Sequence, residues 1–440
     1  MRYALSIGFD MYVSIVGSGY VGTTAAACLA DAGHRVTAID IDESVVDSIN
    51  AGDAPIHEPG LDELIATHGG ERLTATTSYD AIRESELTLV ALPTPSNPDG
   101  SIDASILAGA ITDIGDALAE HDESHVVAVK STIVPSIIEE TVAPRLAAAA
   151  GATLGEGIHL ATNPEFLREG SAVADFQSPD KIVIGANADL AADSLEEMYA
   201  PIIDASDPAV IRTDPRTAMM IKYANNAFLA SKVSLINDIG NICKEHDIDA
   251  YTVAEALGQD DRISERFLRS GLGWGGSCFG KDVAAISAAA REHGYDPAML
   301  NAAVEVNDRQ PVRLLELMDR HVDVTGDRVA VLGLSFKPGT DDIRDTRAVP
   351  VIEGLQDRTA EIAAFDPVAT ENMRERFPDI EYTSDPETAL EDSVAALIVT
   401  DWPVIAELDT AFDRMRTPIV VDGRRAIDRR DGIVYEGLTW

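Results

Sequence analysis

VSIVGSGYVGTTAAACLADAGHRVTAID, residues 13–40, decides the fold. Val13 to Val16 is a short apolar, β-branched run and reads as a strand. Gly17, Gly19 and Gly22 follow as G-x-G-x-x-G, and a helix rich in small residues runs from about Tyr20 to Ala32. Gly33 ends that helix, Arg35 to Ile39 reads as a second strand, and Asp40 falls at its end. Three glycines at this spacing are a weak signal alone. In the order strand, turn, helix, strand, acid they form a dinucleotide-binding fingerprint. The glycines permit a tight turn and let backbone N–H groups approach a pyrophosphate at the helix N-terminus. The carboxylate after the second strand suits the hydroxyls of an adenosine ribose. Asp40 has no arginine beside it, and Ile41 to Ser44 bring further acids but no cation for a 2′-phosphate. The pattern points to NAD rather than NADP.

Working outward, βα alternation continues to about residue 205, with strand candidates at Leu87–Leu92, Val126–Val129, His159–Thr162 and Ile182–Ile184. From about Arg216 to Val306 long amphipathic helices take over. Arg328–Leu332, Ala363–Phe365, Ala396–Val399 and Ile419–Val421 then read as a second, smaller α/β unit. The expected fold class is α/β: two Rossmann-like doubly wound domains joined by a central all-helical domain. The boundaries this suggests are an N-terminal extension over 1–11, a nucleotide domain over 12–205, a helical domain over 206–310 and a C-terminal domain over 311–440. Met11 is a candidate start, since the first strand begins near Tyr12.

The 440 residues include 34 Lys and Arg against 75 Asp and Glu, a net charge of −41. Such a charge argues against nucleic acid or an anionic membrane as partner. The acids are dispersed rather than gathered in a tail, which suits a salt-rich cytosol where screening quenches self-repulsion. Only seven residues are lysine: Lys130, Lys181, Lys222, Lys232, Lys244, Lys281 and Lys337. On a surface so depleted of lysine, each survivor is a candidate for a specific task. Cys28, Cys243 and Cys278 are odd in number and far apart, so neither a disulfide framework nor a zinc site is indicated, and a reducing cytoplasm fits. No apolar run reaches transmembrane length and no signal-peptide pattern opens the chain. His121 and His125 have metal-like spacing but lie among acids, and read as solvated, with no metal required.

The second strong signal is GLGWGGSCFGKD, residues 271–282. Cys278 follows a glycine-rich turn, and a helix starting there would stack Asp282 on the same face. The helix N-terminus and Lys281 would favour a thiolate. A thiolate beside a carboxylate is suited to covalent catalysis followed by hydrolysis. Further candidates end strands at the carboxyl edge of the sheet, where ligands bind in such folds. They are the turn-rich Leu92–Asp103 with Thr94, the hydroxyl-bearing Lys130-Ser131-Thr132, and Asn163–Gly170, where Glu165 is a general-base candidate. Lys222 and Asn226, four apart on a largely apolar helix, could converge on an oxyanion.

These segments together resemble the UDP-glucose/GDP-mannose dehydrogenase family, the nucleotide-sugar 6-dehydrogenases. The resemblance covers nearly the whole chain from Tyr12. It is carried by GSGYVG (17–22), HEPGL (57–61), KST (130–132), NPEFLREGSAV (163–173), KYANNAFLA (222–230), GWGGSCFGKD (273–282), LGLSFKPGTDDIRDT (332–346) and DGRR (422–425). It implies oxidation of a primary alcohol to a carboxylate with two NAD, through a thiohemiacetal and a thioester on Cys278. Glu165 is implied in thioester hydrolysis, Lys222 and Asn226 in stabilising the oxyanion, and Asp282 with Thr132 in orienting water or moving a proton. Cofactor contacts are implied for Gly17, Gly19, Tyr20, Val21, Gly22, Asp40, Thr94, Thr132, Glu169, Lys281 and Arg344. Besides Glu165, Lys222 and Asn226, substrate contacts are implied for Phe166, Leu167, Arg262, Phe267, Gly275, Phe279, Phe336, Lys337 and Arg424. Arg262 matches an arginine that reaches a neighbouring subunit, which implies a homodimer or higher homo-oligomer through the helical domain. Gly280 stands where the family usually has proline, which bears on where the helix starts.

Within the family, NPEFLREGSAV with GGSCF leans towards UDP-glucose, oxidised to UDP-glucuronate, over GDP-mannose or a UDP-N-acetylhexosamine. A two-electron hydroxyacid-type dehydrogenase would need no cysteine. A non-catalytic NAD-binding regulator would have no use for Lys222, Asn226, Cys278 and Asp282 together.

Overall fold

The computed structural model describes residues 10–119, 121 and 123–440. Residues 1–9 of the expected extension lie outside the described residues. The chain divides into two compact units, up to Ala224 and from Asn225 onward.

The first unit is built on an eight-stranded sheet. Its strands are β1 (Tyr12–Val16), β2 (Arg35–Ile39), β3 (Leu73–Thr76), β4 (Leu87–Val90), β5 (His125–Val129), β6 (Ile158–Thr162), β7 (Lys181–Ala186) and β8 (Ala209–Thr213), in the spatial order β3-β2-β1-β4-β5-β6-β7-β8. Strands β1 to β6 are parallel, β7 runs antiparallel to β6, and β8 is parallel to β7. The central strands are covered on both faces, so they read as continuous apolar runs rather than alternating ones. The helix Tyr20–Asp31 buries Gly22 through Ala30, and its alanines let it lie close against the strands. β8 lies beyond residue 205, so the first sheet extends past the expected boundary and closes on an edge strand of mixed exposure.

The second unit takes in the C-terminal part of the long helix Pro215–Glu245, the helices Ala250–Gly258, Phe279–Glu292 and Ala298–Asp319, and a six-stranded parallel sheet. Its strands are β9 (Arg328–Leu332), β10 (Glu361–Phe365), β11 (Glu381–Tyr382), β12 (Ala395–Ile398), β13 (Ile419–Asp422) and β14 (Val434–Gly437), in the order β11-β10-β9-β12-β13-β14. The helix Ala298–Asp319 runs through the expected boundary at residue 310. Its C-terminal part packs Leu314, Leu315, Leu317 and Met318 into the core of the second sheet.

His125 corrects the reading of a solvated histidine. It is fully buried in β5, with Nε2 at 2.8 Å from the Thr88 hydroxyl and Nδ1 at 2.9 Å from the Ser85 carbonyl. Thr88 passes the network on to Ser14 at 2.7 Å. A polar side chain inside a sheet is tolerated because its hydrogen bonds are made there. Burial pushes its pKa down to about 4.

Candidate active site

The nucleotide fingerprint is assembled as the sequence suggests. Gly17 adopts φ +94° and its N–H donates to the Ile39 carbonyl at 2.8 Å. A Cβ on Gly22 would overlap the Gly17 carbonyl, so the turn and the helix meet only through glycine. No side chain caps the helix at Gly19, and a Cβ there would meet nothing within 4 Å. An uncapped helix N-terminus opening on space is a place for an anion. The Asp40 carboxylate accepts from the Ser18 N–H at 2.6 Å and is only partly buried. Gly17, Gly19, Tyr20, Val21, Gly22 and Asp40 fit a dinucleotide by this arrangement.

Beside this turn, Glu58 is buried and accepts from the Gly170 and Ala172 N–H groups at 2.9 and 2.7 Å and from the Tyr20 hydroxyl. It ties the segment carrying Glu169 to the first turn of the fingerprint helix. The HEPGL motif had suggested no role for it. On the neighbouring strands, the Thr94 hydroxyl donates to the Thr132 carbonyl at 2.9 Å, and the Ser131 hydroxyl donates to the Leu92 carbonyl at 2.9 Å. The loops after β4 and β5 are stitched together at the carboxyl edge.

Glu165 and Lys222 form a buried ion pair. Glu165 is 9% exposed, Lys222 is 3% exposed, and Nζ lies 2.7 Å from Oε1. The Leu167 N–H donates to Oε2 at 2.5 Å. Burial alone would raise the Glu165 carboxyl. The Lys222 charge and these hydrogen bonds outweigh it and hold the carboxyl below its ordinary range. Two ammonium groups approach the Phe166 ring, Lys181 at 4.3 Å and Lys222 at 5.5 Å from its centre.

In the second unit the turn before Cys278 is held from several sides. Asn237 accepts from the Gly271 N–H at 2.8 Å, Gln310 donates to the Gly271 carbonyl at 2.7 Å, and Asn307 accepts from the Trp274 N–H at 2.8 Å. Arg424 donates to the Gly273 carbonyl at 2.9 Å and the Val399 carbonyl at 2.8 Å. A Cβ on Gly275 would overlap the Asp345 carbonyl. Leu272 and Trp274 are buried core residues. The helix starts at Phe279 with Cys278 as its N-cap, and it accommodates Gly280 without a break. The Phe279 ring meets the Trp274 ring edge-on at 6.2 Å.

Cys278 is exposed, whereas Cys28 and Cys243 are buried. The Asp282 N–H donates to the Cys278 carbonyl at 2.9 Å, which stacks the two residues on one turn. The Asp282 carboxylate is 2% exposed and is gripped by Asn226 Nδ2 at 2.7 Å and Lys281 Nζ at 2.9 Å. In this structure Lys222 and Asn226 each face a carboxylate of their own: Lys222 faces Glu165 and Asn226 faces Asp282.

Other expected contacts lie on loops. Arg344 is clamped to Asp342 at 2.6 Å, and Lys337 Nζ lies 5.2 Å from the Phe336 ring centre. Arg262 pairs with Asp260 on the surface, and Phe267 is 43% exposed at φ +63°.

Three family profiles match the chain in order. They are the NAD binding domain of the UDP-glucose/GDP-mannose dehydrogenase family over residues 11–203, its central domain over 216–309 and its UDP binding domain over 330–429. The chain belongs to the UDP-glucose/GDP-mannose dehydrogenase family. It is 56% identical to the UDP-glucose 6-dehydrogenase AglM of Haloferax volcanii, over 97% of this chain and 100% of that protein. Among solved structures, a UDP-glucose dehydrogenase from the archaeon Pyrobaculum islandicum superposes with a TM-score of 0.91 at 38% identity, with each chain fully covered. A UDP-D-ManNAc dehydrogenase from Pyrococcus horikoshii superposes at 0.84 with 25% identity, over 98% of this chain and 99% of that one. The chain is accordingly an NAD-dependent dehydrogenase with a UDP binding domain. Among the described residues, no helix is long and apolar enough to cross a membrane.

Proposed function

We propose that this chain oxidises UDP-glucose to UDP-glucuronate through a thioester on Cys278. The observation that carries this is the exposed Cys278 at a rigidly held helix start, one turn from a buried Asp282 fixed by Asn226 and Lys281. NAD supplies the hydride acceptor for each of the two oxidations. In the first, the C6 hydroxyl gives its proton to water and the carbon loses a hydride, giving an aldehyde. The Cys278 thiolate adds to the aldehyde carbon, and Lys222 and Asn226 hold the negative oxygen that forms. The thiohemiacetal carbon loses the second hydride and becomes a thioester. Glu165 then takes a proton from water as the water oxygen bonds to the carbonyl carbon. The C–S bond breaks, the thiolate leaves and the carboxylate is released. Asp282 and Thr132 orient water and assist proton transfer.

Arg424, Phe336, Lys337, Phe279, Gly275, Phe166, Leu167 and Phe267 are the proposed sugar-nucleotide contacts. Glu169, Thr94, Lys281 and Arg344 are the proposed cofactor contacts beyond the fingerprint. The working form is a homo-oligomer. Phe228, Leu235 and Ile242 are 71%, 59% and 57% exposed and recur every seven residues along the helix Pro215–Glu245, an apolar stripe suited to a second copy. Arg262 on this reading serves the neighbouring copy's substrate. A reducing cytoplasm rich in salt is the proposed setting.

Substrate choice is tested by kcat/KM in concentrated KCl for UDP-glucose, GDP-mannose and the UDP-N-acetylhexosamines. The highest value is expected for UDP-glucose. A higher value for one of the others would overturn the substrate while leaving the mechanism in place. Light scattering should give at least a dimer for the wild type and a smaller species for Leu235→Asp.

A further inference from the structure

Lys130 is a buried cation that the steps above leave without a task. It follows β5 directly, is 3% exposed, and has neutral hydrogen-bond partners: Asn163 Oδ1 at 3.0 Å and the Tyr199 hydroxyl at 3.2 Å. The Phe176 and Tyr199 rings lie 5.8 and 5.9 Å from Nζ. A lysine held only by neutral groups is costly to bury, and an apolar residue of the same volume would be cheaper. Asn163 is itself fixed, donating from Nδ2 to the Val183 carbonyl and from its N–H to the Val129 carbonyl. Two residues further on stands Glu165.

We propose that Lys130 is a positioning residue for Glu165: it anchors, through Asn163, the segment that carries the carboxylate, and it places a second positive charge behind it. The inference rests on the reading of Glu165 as the base for thioester hydrolysis. That reading creates a problem which Lys130 answers. Lys222 is bonded to Glu165 in this structure, yet it is also the proposed donor to the substrate oxygen. When Lys222 turns to the substrate, Glu165 keeps the Leu167 N–H but loses its direct charged partner. A second cation that does not move keeps the carboxylate ionised at that moment.

The electrostatics agree with the geometry. Burial, against the pull of the Glu165 charge and with the Lys222 charge adding to it, lowers the Lys130 ammonium to about 8. Lys130 in turn helps hold Glu165 down. The other ionisable groups around this cluster are Tyr199 on the helix Asp189–Ser206, Cys28 on the fingerprint helix near Tyr199, and Lys181 on β7 against the Phe166 ring. Burial raises Tyr199 and holds Cys28 up at about 12, so both are neutral near pH 7.

The test compares full-length wild type, Glu165→Gln, Lys130→Gln, Lys130→Met and Tyr199→Phe under turnover with UDP-glucose and NAD. It reads kcat against pH and the intact mass for a covalent adduct on Cys278. Glu165→Gln should accumulate adduct. Lys130→Gln keeps a donor to Asn163 without the charge, so it should also accumulate adduct. Its acid limb of kcat should move up by about one pH unit, because Glu165 then needs a higher pH to ionise. Its KM values should stay near wild type. Tyr199→Phe keeps the charge and should leave the acid limb in place. Lys130→Gln without adduct and with the wild-type limb, beside a Glu165→Gln that accumulates, would overturn the inference and spare the reading beneath it. Glu165→Gln without adduct would overturn both. Should Lys130→Met fail to fold, Lys130→Gln decides alone.

Discussion

Six parallel strands of each sheet share one order, β3-β2-β1-β4-β5-β6 in the first unit and β11-β10-β9-β12-β13-β14 in the second. They also share the start of the first loop. Gly17 after β1 and Gly333 after β9 have φ +94° and +90°, and each N–H donates at 2.8 Å to the last carbonyl of the neighbouring strand. An aspartate follows that strand in both. Asp40 accepts from the Ser18 N–H and stays partly accessible. Asp366 is 3% exposed, and its carboxylate accepts from the Leu334, Ser335, Val368 and Ala369 N–H groups, the Ser335 hydroxyl and the Trp402 indole. The first unit enters a helix at Tyr20, whereas the second runs through a long loop before the helix at Ala348. Topology alone therefore does not make a dinucleotide site. The uncapped helix and the accessible acid do, and in the second sheet the equivalent acid is consumed in holding its own loop.

The largest effect expected from this contrast is in Asp366→Ala. Removing a buried acceptor that serves six donors should cost about 3 kcal/mol or more, with NAD affinity unchanged. All three tryptophans, Trp274, Trp402 and Trp440, lie in the second unit, so their emission reports its melting. A comparable loss of NAD binding in this variant would break the contrast. Acid should act on the opposite unit. His125 is pushed down to about 4 and His34 is lowered, in both cases by burial. A histidine lowered in the folded state adds stability above its ordinary pKa near 6.5 and loses it as pH falls towards the folded value. For His125 this amounts to about 3 kcal/mol between pH 6.5 and 4. Circular dichroism should thus fall at a higher pH than tryptophan emission shifts, and the reverse order would count against it. Asp40→Ala should weaken NAD about tenfold, a loss of about 1.4 kcal/mol read by titration, while tryptophan melting stays put. The smallest and most diffuse effect is salt. With a net charge of −41, both units should melt higher in concentrated KCl than in dilute buffer, and no rise would argue against salt adaptation.

Much of the fold is legible in the chain because covered parallel strands are apolar runs. The strands that escaped the sequence are β3, β8, β11 and β14, and these are the four sheet edges. LTAT, AVIRT, EY and VYEG are half-exposed, so they lack the continuous apolar signal of the inner strands. The site's chemistry was visible as residue types at strand ends, but its pairings were not. Glu165 and Lys222 are 57 residues apart, and Asn226 and Asp282 are 56 apart. Local spacing placed Lys222 with Asn226, and only the fold gives each its own carboxylate. Lys130 read as part of a hydroxyl motif because nothing in KST tells that its ammonium is buried against Asn163. His125 read as solvated because its acidic neighbours precede a strand whose interior it occupies.

The four-electron reaction is tested most directly by counting NADH formed per UDP-glucose consumed by the purified protein in concentrated KCl. Two NADH per sugar in the wild type, with no carboxylate product when Cys278 is replaced by alanine, is the expected result. One NADH per sugar with a released aldehyde in the wild type would contradict the thioester on Cys278.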